Sequence, residues 1–584
     1  MTEIYYLRLF FLEFSPTKID ISSMSLFKLI SHTLSRSLIF GCITVGLIEV
    51  AAAEPIHAIS HQLKDITKIN NSDSYRTKPF IVVSSPIAQA IAIKKVEIIG
   101  STILSKEDLD PISKTLEGKQ VTSEQIQKAA QSITQIYADR GYITSQAVVD
   151  PQKIVDGVVT IQVIEGKVEK IEIQGLTNTN PDYVRSLVGL GVGIPLNATK
   201  LEDQLRLLRA DPIFRNVEAS LKAGSQPDSS ILVVKVEEAN QFGGFASIDN
   251  YSPPAVGSER YGGGLTFRNL SGNGDIFTAS YYGTTTRGSN QYDISYSLPL
   301  NPMNGTLSLR YSPSNYRITQ APFDTLNIRG NNNLFDISFR QPLIRSSIEE
   351  LALSLGYAYQ QGQTFAFNDL AIPFGIGPEP DGTSRTSVIR FGQDYTLRDL
   401  FGAWSLRSQF NLGTGLFGST NVTTPSASFF SWLGQVQRVQ SLGTDSLLIG
   451  SLDLQLSANP LLSSQQFTIG GGQSLRGYRQ NARTGDNGIR FSLENRIVTL
   501  RNELGASLLQ VIPFLDAGAV WNHPNNPNPL PSQNFLAGGG LGLLFTPIER
   551  LNLRLDYAIP FVNLSDRGTN LQESSFYFSL GYQF

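Results

Sequence analysis

From Gln241 to Phe584 the three- and four-residue spacings of helices disappear, and segments in which apolar and polar residues alternate take their place. Leu551, Leu553, Leu555 and Tyr557 alternate with Asn552, Arg554 and Asp556. Phe576, Phe578, Leu580, Tyr582 and Phe584 alternate with Tyr577, Ser579, Gly581 and Gln583, and Gly450, Leu452, Leu454 and Leu456 with Ser451, Asp453 and Gln455. Successive side chains of a strand point to opposite faces, so each segment is a strand with one greasy face and one polar, partly charged face. Such strands can turn the greasy face inward, as in a soluble sandwich or barrel, or outward to lipid with water inside. The 10% aromatic content, the length of the region and the export leader described below argue for the second arrangement. At roughly 20 residues per strand and turn, these 344 residues accommodate about sixteen strands. The barrel must close, because an unpaired strand edge cannot be hydrated in lipid. The expected fold is therefore a transmembrane antiparallel β-barrel over residues 240–584. After the first fifty residues no run approaches the ~18 apolar residues of a spanning helix, which excludes a helical membrane protein. A net charge of −3 gives no electrostatic case for nucleic acid.

Residues 1–53 carry the pattern of a secretory signal peptide when counted from Met24, a candidate true start. Lys28 and Arg36 precede the apolar run Leu38 to Ile48, and Ala51-Ala52-Ala53 supplies small residues for cleavage after Ala53. Cys42, the single cysteine, lies inside that run, so the exported chain would hold no disulfide, no thiolate metal site and no Cys nucleophile. Ile56, Ile59, Leu63, Ile66 and Ile69 then line one face of a short amphipathic helix, followed by a polar linker, within 54–90. His57 and His61 sit one turn apart on it without a third ligand, which favours a solvated face over a metal site.

Val96-Glu97-Ile98-Ile99-Gly100 recurs as Ile171-Glu172-Ile173-Gln174-Gly175, 75 residues on. Each copy leads into two helical patterns and two strands, giving repeated units over 91–167 and 168–239. In the first, Ile126, Ala129, Ile133, Ile136 and Tyr137 line a helix face. In the second, Leu201, Leu205 and Leu208 do so. A small mixed sheet leaves an open edge that can pair with an extended polypeptide, so these units either receive a chain or serve as spacers.

Strand-helix-helix-strand-strand modules ending in Ile164-Glu165-Gly166 and preceding a barrel resemble POTRA domains, periplasmic chain-receiving modules. Gly470-Gly471-Gly472-Gln473-Ser474-Leu475-Arg476-Gly477-Tyr478, with Gly485-Asp486 and the strand Arg490 to Ile497 behind it, resembles the sixth-loop motif of two-partner secretion transporters of the TpsB type. Leu475 stands where that family commonly has Val. Phe514-Leu515-Asp516-Ala517-Gly518 matches the family's Phe-x-Asp-x-Gly strand motif, and Asn269 to Asp275 and Tyr296 to Leu300 resemble its first barrel turns. The family lies within the outer-membrane barrel assembly superfamily.

The resemblance implies an outer-membrane translocator with periplasmic POTRA domains, passing a large secreted β-rich partner with an amino-terminal secretion domain to the cell surface. Outer-membrane lipid and the outer-membrane assembly machinery would be its other partners, the terminal aromatic Phe584 fitting the signal that this machinery reads. Arg476, Gly477, Tyr478, Phe514, Asp516 and Gly518 are the candidate site. A guanidinium on a loop folded into the lumen can engage a wall carboxylate with directional bonds, acting as a releasable latch or as a structural rivet. The helix over 56–69 is a candidate pore plug. An assembly factor for other outer-membrane proteins is the alternative, disfavoured by having only two modules, and a porin-like channel has no use for such modules. No cofactor and no metal are expected. No enzyme is expected either: His523 lies in the Pro/Asn-rich run His523 to Pro531 without a nucleophile elbow, and Glu494 and Asp556 alternate with apolar residues as lumen-wetting carboxylates would.

Overall fold

The computed structural model describes residues 90–149, 154, 156–367 and 369–584. The expected leader with its cleavage after Ala53, and the segment 56–69 expected to form an amphipathic helix, lie outside the described residues. Two compact units are present, one built from the barrel strands and one from the elements that precede them.

The preceding unit repeats one topology twice. Strand Lys95–Ile99, helices Lys106–Leu116 and Ser123–Asp139, and strands Gln146–Val149 and Val158–Ile164 form a three-stranded sheet. Its closing strand is central, parallel to the first and antiparallel to the middle one. Strand Lys167–Gln174, helices Pro181–Gly189 and Ala198–Arg209, and strands Phe214–Ala223 and Ser229–Glu238 repeat that order and pairing. Ile126, Ala129, Ile133 and Tyr137 bury one helix face against Val159, Ile161 and Val163 of the first sheet.

The recurring Gly has a steric cause. Gly100 and Gly175 adopt φ +86, and a Cβ there would lie 2.4 Å from Val163 O and 2.1 Å from Val236 O, so only glycine fits both the backbone and the space. Behind each glycine a Thr is clamped by the Glu that closes the module. Thr102 donates its N–H and hydroxyl to Glu165, each at 2.7 Å, and Thr177 donates likewise to Glu238 at 3.1 and 2.5 Å. The modules join through Ala198 N donating to Gly141 O and Leu196 N to Gly166 O, both at 2.8 Å.

The barrel is a closed antiparallel cylinder of sixteen long strands, from the first, Phe242–Asp249, to the sixteenth, Phe576–Gln583. From the fifth strand, Thr306–Arg317, onward the connections alternate in length. Residues 346–348, 400–401, 442–445 and 549–550 are tight turns, whereas 367–382, 415–429, 458–486, 522–534 and 561–575 are long loops. Short periplasmic turns and long external loops give the orientation. The alternation sorts the side chains: Leu452, Leu456, Leu580 and Tyr582 are exposed outward, while Ser451, Asp453, Gln455, Tyr577 and Ser579 are buried inside. This inverts a soluble protein and places the apolar face against lipid. Strand length varies around the wall, from 8 residues in the first and sixteenth strands to 18 in the seventh, Glu349–Ala366. The first and sixteenth strands close the cylinder with five residue pairs, Ser579 to Gln583 against Asp249 to Phe245, and Gly244 and Phe584 exchange two backbone hydrogen bonds of 3.0 Å beside them.

Candidate functional site

Between the eleventh strand, Ser446–Ser457, and the twelfth, Asn487–Arg501, runs the longest connection, residues 458–486. It turns back into the barrel. Its own small sheet, Phe467–Ile469 with Arg483–Gly485, carries it inward. Phe467, Ile469, Leu475 and Tyr478 pack into an apolar cluster with Val520 and Leu536 of the wall. This burial, not a single bond, brings the tip to the wall.

At the tip Arg476 is 4% exposed and Asp516, on the thirteenth strand Ser507–Trp521, 0%. The guanidinium addresses the carboxylate with a two-pronged fork, Nε to Oδ2 at 2.7 Å and Nη2 to Oδ1 at 2.8 Å, and the Arg476 backbone N–H adds a third bond of 3.0 Å to Oδ2. Planar bidentate pairing of this kind is both strong and directional. The guanidinium carbon lies 3.5 Å from the centroid of the Phe514 ring, a cation–π contact shielded from water. Gly477 N donates to the Tyr577 hydroxyl at 2.8 Å, which donates on to Tyr478 O at 2.7 Å. The Tyr478 hydroxyl donates to Ala537 O at 2.7 Å. A Cβ on Gly518 would touch Leu475 Cδ1 at 3.2 Å. The structure therefore brings Arg476, Gly477, Tyr478, Phe514, Asp516 and Gly518 together around one loop tip.

Several partners were not singled out by their sequence motifs. Ser492 donates to Asp516 Oδ1 at 2.6 Å. Glu494 accepts from Arg476 Nη1 at 3.1 Å, from Arg496 at 2.8 Å and from Arg554 at 3.3 Å, and Arg554 also donates to Asp556 at 2.8 Å. Glu494 and Asp556 are thus buried in a network of three arginines and three carboxylates beneath the loop, instead of wetting an open lumen. The difference arises because the loop covers them. The twelfth strand held the signal for this site: Arg490, Ser492, Glu494 and Arg496 occupy four successive inward positions. Gly538 is another silent contributor, since a Cβ there would lie 2.6 Å from Arg476 O and push the tip off the wall.

Asp486 anchors the end of the loop. It is wholly buried and accepts from Leu461 N at 3.0 Å, Gln466 Nε2 at 2.8 Å, His523 N at 2.9 Å and Asn526 Nδ2 at 2.9 Å. Outside the membrane, Asp566 of the loop 561–575 takes ion pairs from Arg479 at 2.5 Å and Arg483 at 2.9 Å. Burial opposes the charge of Asp566, but the two guanidiniums overcome it and hold the carboxyl at about 2.

A closed cylinder with an apolar exterior, a polar interior, a long loop fastened to its inner wall and small POTRA-type modules before it defines an outer-membrane β-barrel whose amino-terminal domains stand in the periplasm. Residues 228–545, more than half of the chain, match the family described as Haemolysin secretion/activation protein ShlB/FhaC/HecB, and residues 91–166 match the POTRA domain, ShlB-type. The chain belongs to this family, the two-partner secretion transporters of the outer membrane. The outer membrane transporter CdiB of Dickeya dadantii is 24% identical, over 84% of this chain and 86% of its own length. The hemolysin transporter protein ShlB of Serratia marcescens is 24% identical, over 74% and 77%. Among solved structures, CdiB from Escherichia coli aligns with a TM-score of 0.67 at 19% identity, over 91% of this chain and 100% of that one. BamA from Haemophilus ducreyi lacking POTRA domains 1–3 aligns at 0.51 and 18%, over 84% and 100%. At such identities the likeness is one of fold.

Proposed function

We propose that this chain receives an unfolded secreted partner protein on two periplasmic modules, residues 91–167 and 168–239, and passes it through the barrel lumen to the cell surface without nucleotide hydrolysis. The observation that carries the reading is the inward loop 458–486, fixed to the wall by the Arg476–Asp516 fork. The loop, held by apolar packing and by the polar cluster at its tip, has in this reading two discrete arrangements, engaged and released. In this reading Arg476, Gly477 and Tyr478 form the latch, with Phe514, Asp516 and Gly518 as its seat. The partner meets an open sheet edge of a module in extended form, where backbone pairing supplies affinity that is tolerant of sequence. Folding of the β-rich partner outside the cell then disfavours its return, which supplies direction without a nucleotide.

Co-expression with a β-rich secreted partner tests the reading. Wild type should release the partner to the medium, whereas Arg476→Ala, still inserted as judged by heat-modifiable migration, should leave it in the periplasm. An inserted wild type that retains every such partner would overturn it. The five-pair seam between the first and sixteenth strands favours a second reading, in which the wall opens sideways to assemble other barrels. Depletion separates the two, because loss of an assembly factor lowers many outer-membrane proteins together and loss of a dedicated exporter removes one secreted protein.

A further inference from the structure

The Pro/Asn-rich run His523 to Pro531 has no part in the Arg476–Asp516 fork, yet it makes a polar contact with another external loop 152 residues away in sequence. Asn528 presents its carboxamide to the backbone of Ile376 as a second strand would: Ile376 N donates to Oδ1 and Nδ2 donates to Ile376 O, both at 2.9 Å. The approach is prepared on both sides. Gly375 adopts φ +79, and a Cβ there would stand 3.2 Å from Asn528 Oδ1. On the other side Asn526 Oδ1 accepts from Asn528 N at 3.0 Å, while the Asn526 amide donates to the buried Asp486 of the loop 458–486 at 2.9 Å.

The position of this contact gives it meaning. Ile376 belongs to the connection between the seventh and eighth strands, and Asn528 to that between the thirteenth and fourteenth, six strands further round the cylinder. Sixteen strands spaced ~4.8 Å apart and tilted by ~40° make a barrel about 32 Å across, so these two stations on the rim stand roughly 30 Å apart. A direct hydrogen-bonded contact between loops rooted that far apart has to be made over the mouth. The segment 372–382 also runs against the base of the long loop, where a Cβ on Gly377 would lie 2.8 Å from Leu462.

We infer that Asn528 is the clasp of an external lid: it holds the segment 372–382 across the mouth and, through Asn526 and Asp486, ties that lid to the end of the loop that carries Arg476. The latch holds the loop to the wall from within; the clasp keeps the lumen shut from outside. The inference rests on the lumen being the route of passage only in its export arm, because ion current reads closure with no partner present.

The test uses the full chain in planar lipid bilayers and in cells. Cys42 is the single cysteine of the sequence and falls in the expected leader, so Ile376→Cys combined with Asn528→Cys adds the one pair of cysteines in the barrel. Loss of the two hydrogen bonds in Asn528→Ala should raise the open fraction roughly tenfold, equivalent to about 1.4 kcal/mol, with heat-modifiable migration unchanged. The cysteine pair should bridge on oxidation, hold the current at or below the wild-type level and stop export, and reduction should restore both. Failure of the pair to bridge would overturn the adjacency. A bridged barrel that conducts and exports like wild type, or an Asn528→Ala current equal to wild type, would overturn the lid. A wild type that exports nothing while the current responds as expected would instead count against the translocator reading and leave the clasp standing.

Discussion

Arg476 neutralises its pocket as well as binding it. Without its side chain, Glu494, Asp516 and Asp556 would face only Arg496 and Arg554, leaving one excess negative charge in a site closed to water. Removing one partner of a buried pair costs about 3–5 kcal/mol, because the other charge is left uncompensated. Arg476→Ala and Asp516→Ala should each lower the unfolding free energy of the barrel, read from urea titration, by that order, and the double variant by less than the sum. Strictly additive losses would mean that the fork contributes no coupling. Arg476→Lys preserves charge but not the planar fork or the simultaneous reach to Glu494. It should insert normally yet export less partner than wild type, and full export by this variant would show that charge alone suffices at the tip.

At the scale of elements, the 75-residue repeat was legible in the sequence because it has a local cause: a glycine forced by backbone geometry and a strand period that cannot drift. The Glu165 and Glu238 clamps were less visible, since each joins a turn to a strand end some sixty residues later. Burial opposes the charge of Glu238, but hydrogen bonds from Thr177 and Thr179 overcome it and bring the carboxyl from an ordinary 4.5 to about 2. A depressed folded value stabilises above the ordinary one and is lost as pH falls through the folded one. Glu238→Gln should therefore weaken hydrogen-exchange protection of the strand Lys167–Gln174 at neutral pH. The difference from wild type should shrink as pH falls from 4.5 toward about 2, and a pH-independent difference would assign the effect to shape instead of charge. The barrel strands were equally legible, because alternation is imposed by lipid on one side. The interior was not. That Glu494 lies beneath a loop, or that Asn528 meets Ile376 across 152 residues, depends on loop paths that no periodicity encodes, whereas Arg476 and Asp516 stood out only because their motifs did.

For the whole molecule, the exposed outer face is a solvent requirement spread over sixteen strands. Leu452 lies mid-strand on that face. Leu452→Arg should destabilise the inserted barrel by about 2–4 kcal/mol in bilayers, while Leu452→Phe should be close to neutral. Equal stability of the two would argue that this face does not meet hydrocarbon. The seam has a consequence for how the molecule comes into being. Asn250 accepts the Phe578 N–H from 328 residues away, so its formation carries the largest loop-closure entropy in the barrel and follows the local hairpins. Until then the nascent wall is an open ribbon with two raw edges, prone to pair with any neighbour. Biogenesis of this protein is thus a race between circularisation and aggregation, and a chaperone that shields the strands on either side of the seam would decide how much of it survives.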